Sequence, residues 1–101
     1  LLTDRWNEGE KVLDKALSLF PYNGEIYFYK GLVEKNRRDY AKALQMMNSC
    51  IQYQSNFLEA YREKGLLFKE LGSPDSSAYY LNFVRQIDEA LAAQAAAQVV
   101  L

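Results

Sequence analysis

Apolar and polar positions follow a helical period along this chain, and the helical stretches themselves recur. Tyr40, Ala43, Leu44, Met47, Cys50 and Ile51 fall at intervals of 3, 1, 3, 3 and 1, the stripe of a helix buried along one face. The preceding stretch, from about Gly24 to Arg37, has no proline and spaces Ile26, Tyr27, Gly31 and Val33 as a second helix would. The polar run Asn36-Arg37-Arg38-Asp39 separates the two, and Gln54-Ser55-Asn56 ends the later one. Helix, turn, helix and loop together predict an αα-hairpin.

The same plan returns downstream. Leu58 to Leu71 reads as a first helix with Gly72 as its C-cap. Ser73, Pro74 and Asp75 read as the N-cap, first-turn proline and first-turn acid of the next. That helix presents Ser77, Ala78, Leu81, Val84 and Ile87 on its apolar face. Upstream, a helix is expected from about Asp4 to Phe20, stopped by Pro21, with Tyr22-Asn23-Gly24 as the loop. From Asp88 to Leu101 the pattern fades into Ala-rich sequence of high helix propensity. This tail either continues the preceding helix to about Gln98 or folds back as a cap.

The recurrence has a fixed length. Glu25, Tyr27, Lys30, Gly31, Leu32 and Lys35 return, each 34 residues later, as Glu59, Tyr61, Lys64, Gly65, Leu66 and Lys69. The same shift sets Trp6, Gly9, Leu13 and Ala16 opposite Tyr40, Ala43, Met47 and Cys50. A period of this length marks a two-helix repeat stacked into a solenoid. Residues 1–23 then hold the second helix of a truncated unit, 24–57 and 58–91 are complete units, and 92–101 are the Ala-rich tail or cap. Gly31, Gly65, Ala16, Ala43 and Cys50 are small where helices must approach closely, which is a packing code. The opening Leu1-Leu2-Thr3 reads as the end of a helix, and the chain as an excerpt of a longer protein.

These positions resemble the tetratricopeptide repeat (TPR) family. Its 34-residue unit carries an aromatic and a glycine on the first helix. An aromatic, a small, a large apolar and a second small residue follow on the second helix, and a proline closes the unit. Tyr27-Gly31 followed by Tyr40-Ala43-Met47-Cys50 fits that order, and Trp6-Gly9-Leu13-Ala16-Pro21 fits its second half. Tyr61-Gly65 with Ser77-Leu81-Val84 fits less closely. Pro74 replaces an aromatic, and Ser55 and Glu89 replace the closing proline. The resemblance covers residues 1 to about 88. It implies an all-α fold of antiparallel helix hairpins stacked as a right-handed superhelix.

The resemblance also implies a concave groove lined by the first helix of each unit, which holds a partner's peptide or helix. Its positions here are Glu25, Phe28, Tyr29, Leu32, Lys35 and Asn36, then Glu59, Arg62, Glu63, Leu66, Lys69 and Glu70. Tyr27, Gly31, Tyr61 and Gly65 face the hairpin interior, so Phe28, Leu32 and Leu66 are expected to point away from it, either to supply apolar contact to a partner or to be covered by the missing first helix or the tail in the complete protein. Lys35, Arg62, Lys69 and Glu63 would fix orientation. Family members that dock the acidic C-termini of heat-shock chaperones use a clamp of Lys, Asn and Arg. This chain instead has Phe28 and Leu32, with Glu59 and Glu63 where an incoming carboxylate would be repelled.

Composition narrows the reading further. Half of the 101 residues are hydrophobic, with Tyr at 8 and Phe at 5, as in a globular chain and not a disordered one. Lys+Arg at 12 against Asp+Glu at 13 leaves a net charge of -1, so no global field draws in nucleic acid. The basic cluster Lys35, Arg37, Arg38 and Lys42 surrounds a helix C-terminus, where cations complement the dipole. With no histidine and a single cysteine, neither a zinc site nor a disulfide framework is expected. Cys50 reads as a small hydrophobe whose thiol fits a reducing compartment. No catalytic residue, cofactor or metal is expected, and no Ser, Cys or Lys has a plausible base partner.

The Ala-rich tail is too short to insert in a membrane, and no signal peptide is visible. Tyr27, Tyr40, Tyr53 and Tyr61 are expected in the core, while Tyr29, Tyr79 and Tyr80 are left free. The function expected is protein–protein interaction with a protein or peptide ligand. The alternative is a scaffold or self-assembly role, pairing copies through the apolar edge Trp6, Val12 and Leu19 of the truncated repeat.

Overall fold

The structure is a computed structural model that describes the backbone of residues 2–100 and the side-chain surroundings of residues 5–99. Leu1 and Leu101 lie outside the described residues. Five helices follow one another: α1 (Leu2–Leu19), α2 (Gly24–Asn36), α3 (Tyr40–Tyr53), α4 (Leu58–Glu70) and α5 (Pro74–Val100). Each packs on its neighbour in sequence, the arrangement of an α-solenoid. The radius of gyration is 15.8 Å, above the roughly 13 Å of a compact chain this long, because the hairpins stack along one direction and α5 overhangs them.

The termini of the helices explain where they stop. Asn23 Oδ1 accepts from the Glu25 and Ile26 amides at 3.0 and 3.4 Å, capping α2, and Asp39 accepts from the Lys42 amide to cap α3. Both α2 and α4 end in the same six-residue motif. The Asp39 amide donates to the Glu34 carbonyl and the Arg38 amide to Lys35. One period later, Ser73 donates to Phe68 and Gly72 to Lys69. That motif needs a left-handed residue. Gly72 supplies it at φ 75°, and Arg38 adopts it at φ 63° despite its side chain. The expected Gly72 cap is therefore present, one position beyond the C-cap residue Leu71.

Ala43, Met47, Cys50, Ala60 and Leu67 form a fully buried core between α3 and α4, with Val33 and Val84 buried beside it. The small-residue code is steric. A Cβ on Gly31 would stand 2.6 Å from Met47 Cε, and one on Gly65 2.7 Å from two side-chain atoms of Leu81. The loops repeat as well. Tyr27 Oη donates to the Pro21 carbonyl at 3.2 Å and Tyr61 Oη to the Ser55 carbonyl at 2.7 Å. A backbone carbonyl is what this position must provide, so Ser55 replaces the proline without losing the bond.

Several expectations need correction. Phe28 and Leu32 do not point away from the interior. Both pack against the core, and the Phe28 ring lies 4.9 Å from that of Phe57. In a stack, a first helix meets its own hairpin with one face and the next hairpin with another, so two faces are needed for packing. Ala78 is exposed, off the buried face of α5. Tyr53 is exposed at the surface, its ring against Tyr22 and Tyr27. Tyr80 is not free: it stacks on Phe68 and receives a hydrogen bond from Lys64 Nζ at 3.0 Å. Within the Ala-rich tail, residues 92–100 are the distal part of α5 and run on as helix, and residues 92–99 are exposed; Leu101 lies outside the described residues.

Candidate functional site

An open cleft of about 750 Å³ lies between α1 and α2, within the range of ligand sites. From α1 it takes Arg5, Trp6, Gly9, Val12 and Leu13, and from α2 Tyr29, Leu32, Val33 and Asn36. Its walls are overwhelmingly apolar, with side-chain polar groups at Arg5, Asn36, the Tyr29 hydroxyl and the Trp6 indole N–H. Asn36 turns its amide back to the Leu32 carbonyl at 2.8 Å. Val12 is 67% exposed and Tyr29 47%, so both offer apolar surface that the described residues leave uncovered.

A second cleft, of about 460 Å³, lies between α4 and α5. Leu66, Leu81 and Val84 form its floor, and Arg62, Arg85, Asp88 and Glu89 crowd its rim. The rim charges satisfy one another: Arg62 reaches Asp88 at 3.0 Å and Glu59 at 3.2 Å.

The residues expected to form one groove are thus divided. Tyr29, Leu32 and Asn36 line the first cleft, and Arg62 and Leu66 line the second. Lys35 and Glu63 pair at 2.8 Å and tie α2 to α4, lining neither cleft. Phe28 is taken up by the core, and Glu25, Glu59, Lys69 and Glu70 lie on exposed helix surface. Sequence reasoning placed Trp6 and Val12 on an edge and did not join them to Tyr29 and Leu32. The signal was available, because the 34-residue shift lays Trp6, Gly9 and Leu13 on the interior positions Tyr40, Ala43 and Met47.

An ion network joins the two helices that wall the cleft. Arg37 bonds Glu10 and Asn7 of α1 and Glu34 of α2, the last at 3.0 Å. The hydrogen bond to Glu10 raises the Arg37 pKa, and both carboxylates add to the effect. Glu34 is only 5% exposed, and Lys42 lies 3.9 Å from the same carboxylate oxygen. Arg37 therefore clamps α1 to α2, a role beyond the helix-dipole complement expected for it.

Cys50 is buried, and burial pushes its thiol up to about 11, with Glu25 adding a smaller effect. A thiol held protonated is a poor nucleophile. Among the described residues, no group of three or more His, Cys, Asp or Glu side chains could hold a metal ion. No described helix is long and apolar enough to cross a membrane.

No protein-family model matches the sequence, and no curated protein is significantly similar to it. Solved structures are similar in fold. A crystal structure of MamA, a TPR-repeat protein, superposes with a TM-score of 0.80 at 23% identity, over 90% of this chain and 53% of that one. A second MamA crystal structure gives 0.77 at 23% identity, over 90% and 50%. MamA from AMB-1 gives 0.75 at 15% identity, over 87% and 48%. The chain spans about half the length of the solved structures it matches. Period, packing code and these likenesses agree: the chain has the all-α helix-hairpin solenoid fold of tetratricopeptide-repeat proteins.

Proposed function

We propose that the chain is a non-catalytic protein-interaction module that holds a segment of a partner protein, an extended peptide or an amphipathic helix. The working surface is made of the two clefts, with Tyr29, Leu32, Asn36, Arg62 and Leu66 as the contacts drawn from the expected groove. The observation that carries this reading is the α1–α2 cleft. About 750 Å³ of recess is walled largely by apolar side chains, of which Val12 and Tyr29 are exposed, and such surface favours association. The paired charges around Arg62 suit the rim of an interface, where they contribute orientation more than affinity.

A helical-peptide display selection against the folded chain tests this, with Tyr29→Asp and Leu66→Asp versions as counter-targets. Both positions are exposed, so the substitutions leave the core intact. Selected peptides that lose at least tenfold in affinity on one of these variants support the reading. Peptides indifferent to both contradict it.

A second reading, self-assembly within a larger scaffold, draws on Val12, Leu19 and Phe20, which are 67, 66 and 60% exposed along α1 and its end. Sedimentation decides it: a mass that grows with concentration and reverts with Val12→Asp favours assembly, and a strict monomer argues against it.

A further inference from the structure

One face of α5 carries aromatic rings that the repeat does not require. Counted back by one and two periods, Tyr79 falls on Gln45 and Lys11, and Phe83 on Ser49 and Lys15. Polar side chains therefore satisfy the fold at both positions. Nor does a neighbouring unit seat at the outer one. The α2–α3 hairpin has α1 packed on one side and α4 on the other, and Gln45 is exposed all the same, with Ser49 half-buried. Tyr79 is 67% exposed and Phe83 38%. Phe83 separates two recesses. One, of about 300 Å³, lies among Tyr79, Asn82 and Gln86. The other, of about 250 Å³, is walled by Leu58, Tyr61, Ile87 and Leu91, with the loop residues Ser55 and Asn56 beside them. The same helix thus presents a projecting ring and, two turns further along, an apolar recess with room for one.

We infer that this face pairs α5 with the α5 of a second copy of the chain, antiparallel about a two-fold axis beside Phe83. The inference goes beyond the interaction module and does not rest on it, since no residue of either cleft lines these recesses. A two-fold contact needs a surface complementary to itself. Tyr79 and Ile87 are eight residues apart, about 12 Å along a helix. An antiparallel partner centred on Phe83 therefore sets each Tyr79 over the other copy's Ile87, beside its recess. Tyr79, Phe83 and Ile87 form an i, i+4 row, and two such rows interlock with their helices crossing at about −50°. The Ala-rich ends diverge from that crossing.

The distribution of charge also selects a second copy. No charged residue lines either recess, so identical surfaces meet without like-charge repulsion, and no charge is present to choose a partner of opposite sign. Arg85 stands at the rim, reaching Asn82 at 3.4 Å and Glu89 at 3.9 Å. The Asn82 and Gln86 amides both donate and accept, so each suits its own copy across the axis. One helix crossing is smaller than the standard interface of about 800 Å² per partner, which makes the pairing weak and reversible.

Sedimentation equilibrium of the whole chain tests this. The mass should rise reversibly with concentration from one chain toward two and no further. Tyr79→Gln and Phe83→Ser install the residues that the preceding unit carries at these positions, and each should weaken pairing at least tenfold. Val12→Asp should leave it unchanged. Tyr79 is exposed, so its variant keeps the fold whatever Phe83→Ser does to the contact with Tyr61. Asn82→Cys, beside the axis, should give a disulfide-linked dimer under a mild oxidant, and Ala93→Cys, further along α5, should not. The native Cys50 is buried and takes no part.

A strict monomer at every concentration overturns the inference. So does a dimer that Val12→Asp dissolves while Tyr79→Gln leaves it intact, which would place the contact on α1. Equal cross-linking through Asn82→Cys and Ala93→Cys overturns the two-fold axis beside Phe83.

Discussion

Replacing Gly24, Gly31 and Gly9 by alanine, one at a time, should give three different results from one chemical change. Each replacement inside a helix gains about 1 kcal/mol of propensity, so the surroundings set the sign. At Gly9 a Cβ meets nothing within 4 Å, and the variant should be more stable by about 1 kcal/mol. At Gly31 the new carbon would lie 2.6 Å from Met47 Cε. That methyl ends a flexible side chain in a fully buried position, so it can move only by displacing its neighbours. Overpacking of this kind costs about 1–3 kcal/mol, leaving a net loss of about 1 kcal/mol.

At Gly24 the new carbon would lie 2.7 Å from the Cys50 carbonyl and 2.8 Å from Gln54 Cβ. A backbone carbonyl cannot rotate away, so α2 must separate from the end of α3, at a loss of about 3 kcal/mol by the same overpacking scale. Urea unfolding followed by far-UV circular dichroism measures all three. A domain of this size moves by about 4–8 °C in Tm per kcal/mol. Wild-type stability for Gly24→Ala, or destabilisation by Gly9→Ala, would refute the argument from close approach.

Three further outcomes are expected. Arg38→Gly should stabilise the chain by about 0.5–1 kcal/mol, because it removes a left-handed strain of about 1–2 kcal/mol at a smaller cost in unfolded-state entropy. Gly72→Ala should do the reverse, and denaturant midpoints check both. The Cys50 thiol is raised from 9.0 to about 11 in the folded chain, so its contribution is complete below pH 9 and is lost as pH rises toward 11. Stability measured across that window should fall more steeply for the wild type than for Cys50→Ala, and identical slopes would contradict the assignment. Arg37→Met should free α1 from α2 while α3 to α5 stay protected, visible as hydrogen exchange that accelerates in α1 first.

Much of the fold was legible because the solenoid states its rule twice. The 34-residue shift predicted the hairpins, and the stripe from Tyr40 to Ile51 picked out Met47 and Cys50 as interior. What stayed hidden depends on contacts between units. Phe28 and Leu32 look spare within one hairpin and are used only when the next one stacks beside it. Gly24 has Leu58 as its periodic counterpart, so the repeat gave no hint that a backbone carbonyl lies against it. Arg38 shares its place with Gly72, which signalled the left-handed turn, although an arginine does not announce one. Arg37 finds Glu10 across 27 residues of chain, a partner no local pattern supplies. The candidate site was half visible for the same reason: its α2 wall was named as groove and its α1 wall as edge.

The central claim, that partner segments bind at the clefts, is tested most directly by amide chemical-shift mapping of the labelled chain with a display-selected peptide. The account predicts saturable shifts concentrated on Trp6 to Leu13 and Tyr29 to Asn36, weakened by Tyr29→Asp. Shifts confined to the Ala-rich end of α5 or to the outer surface of α3, with both clefts silent, would contradict it.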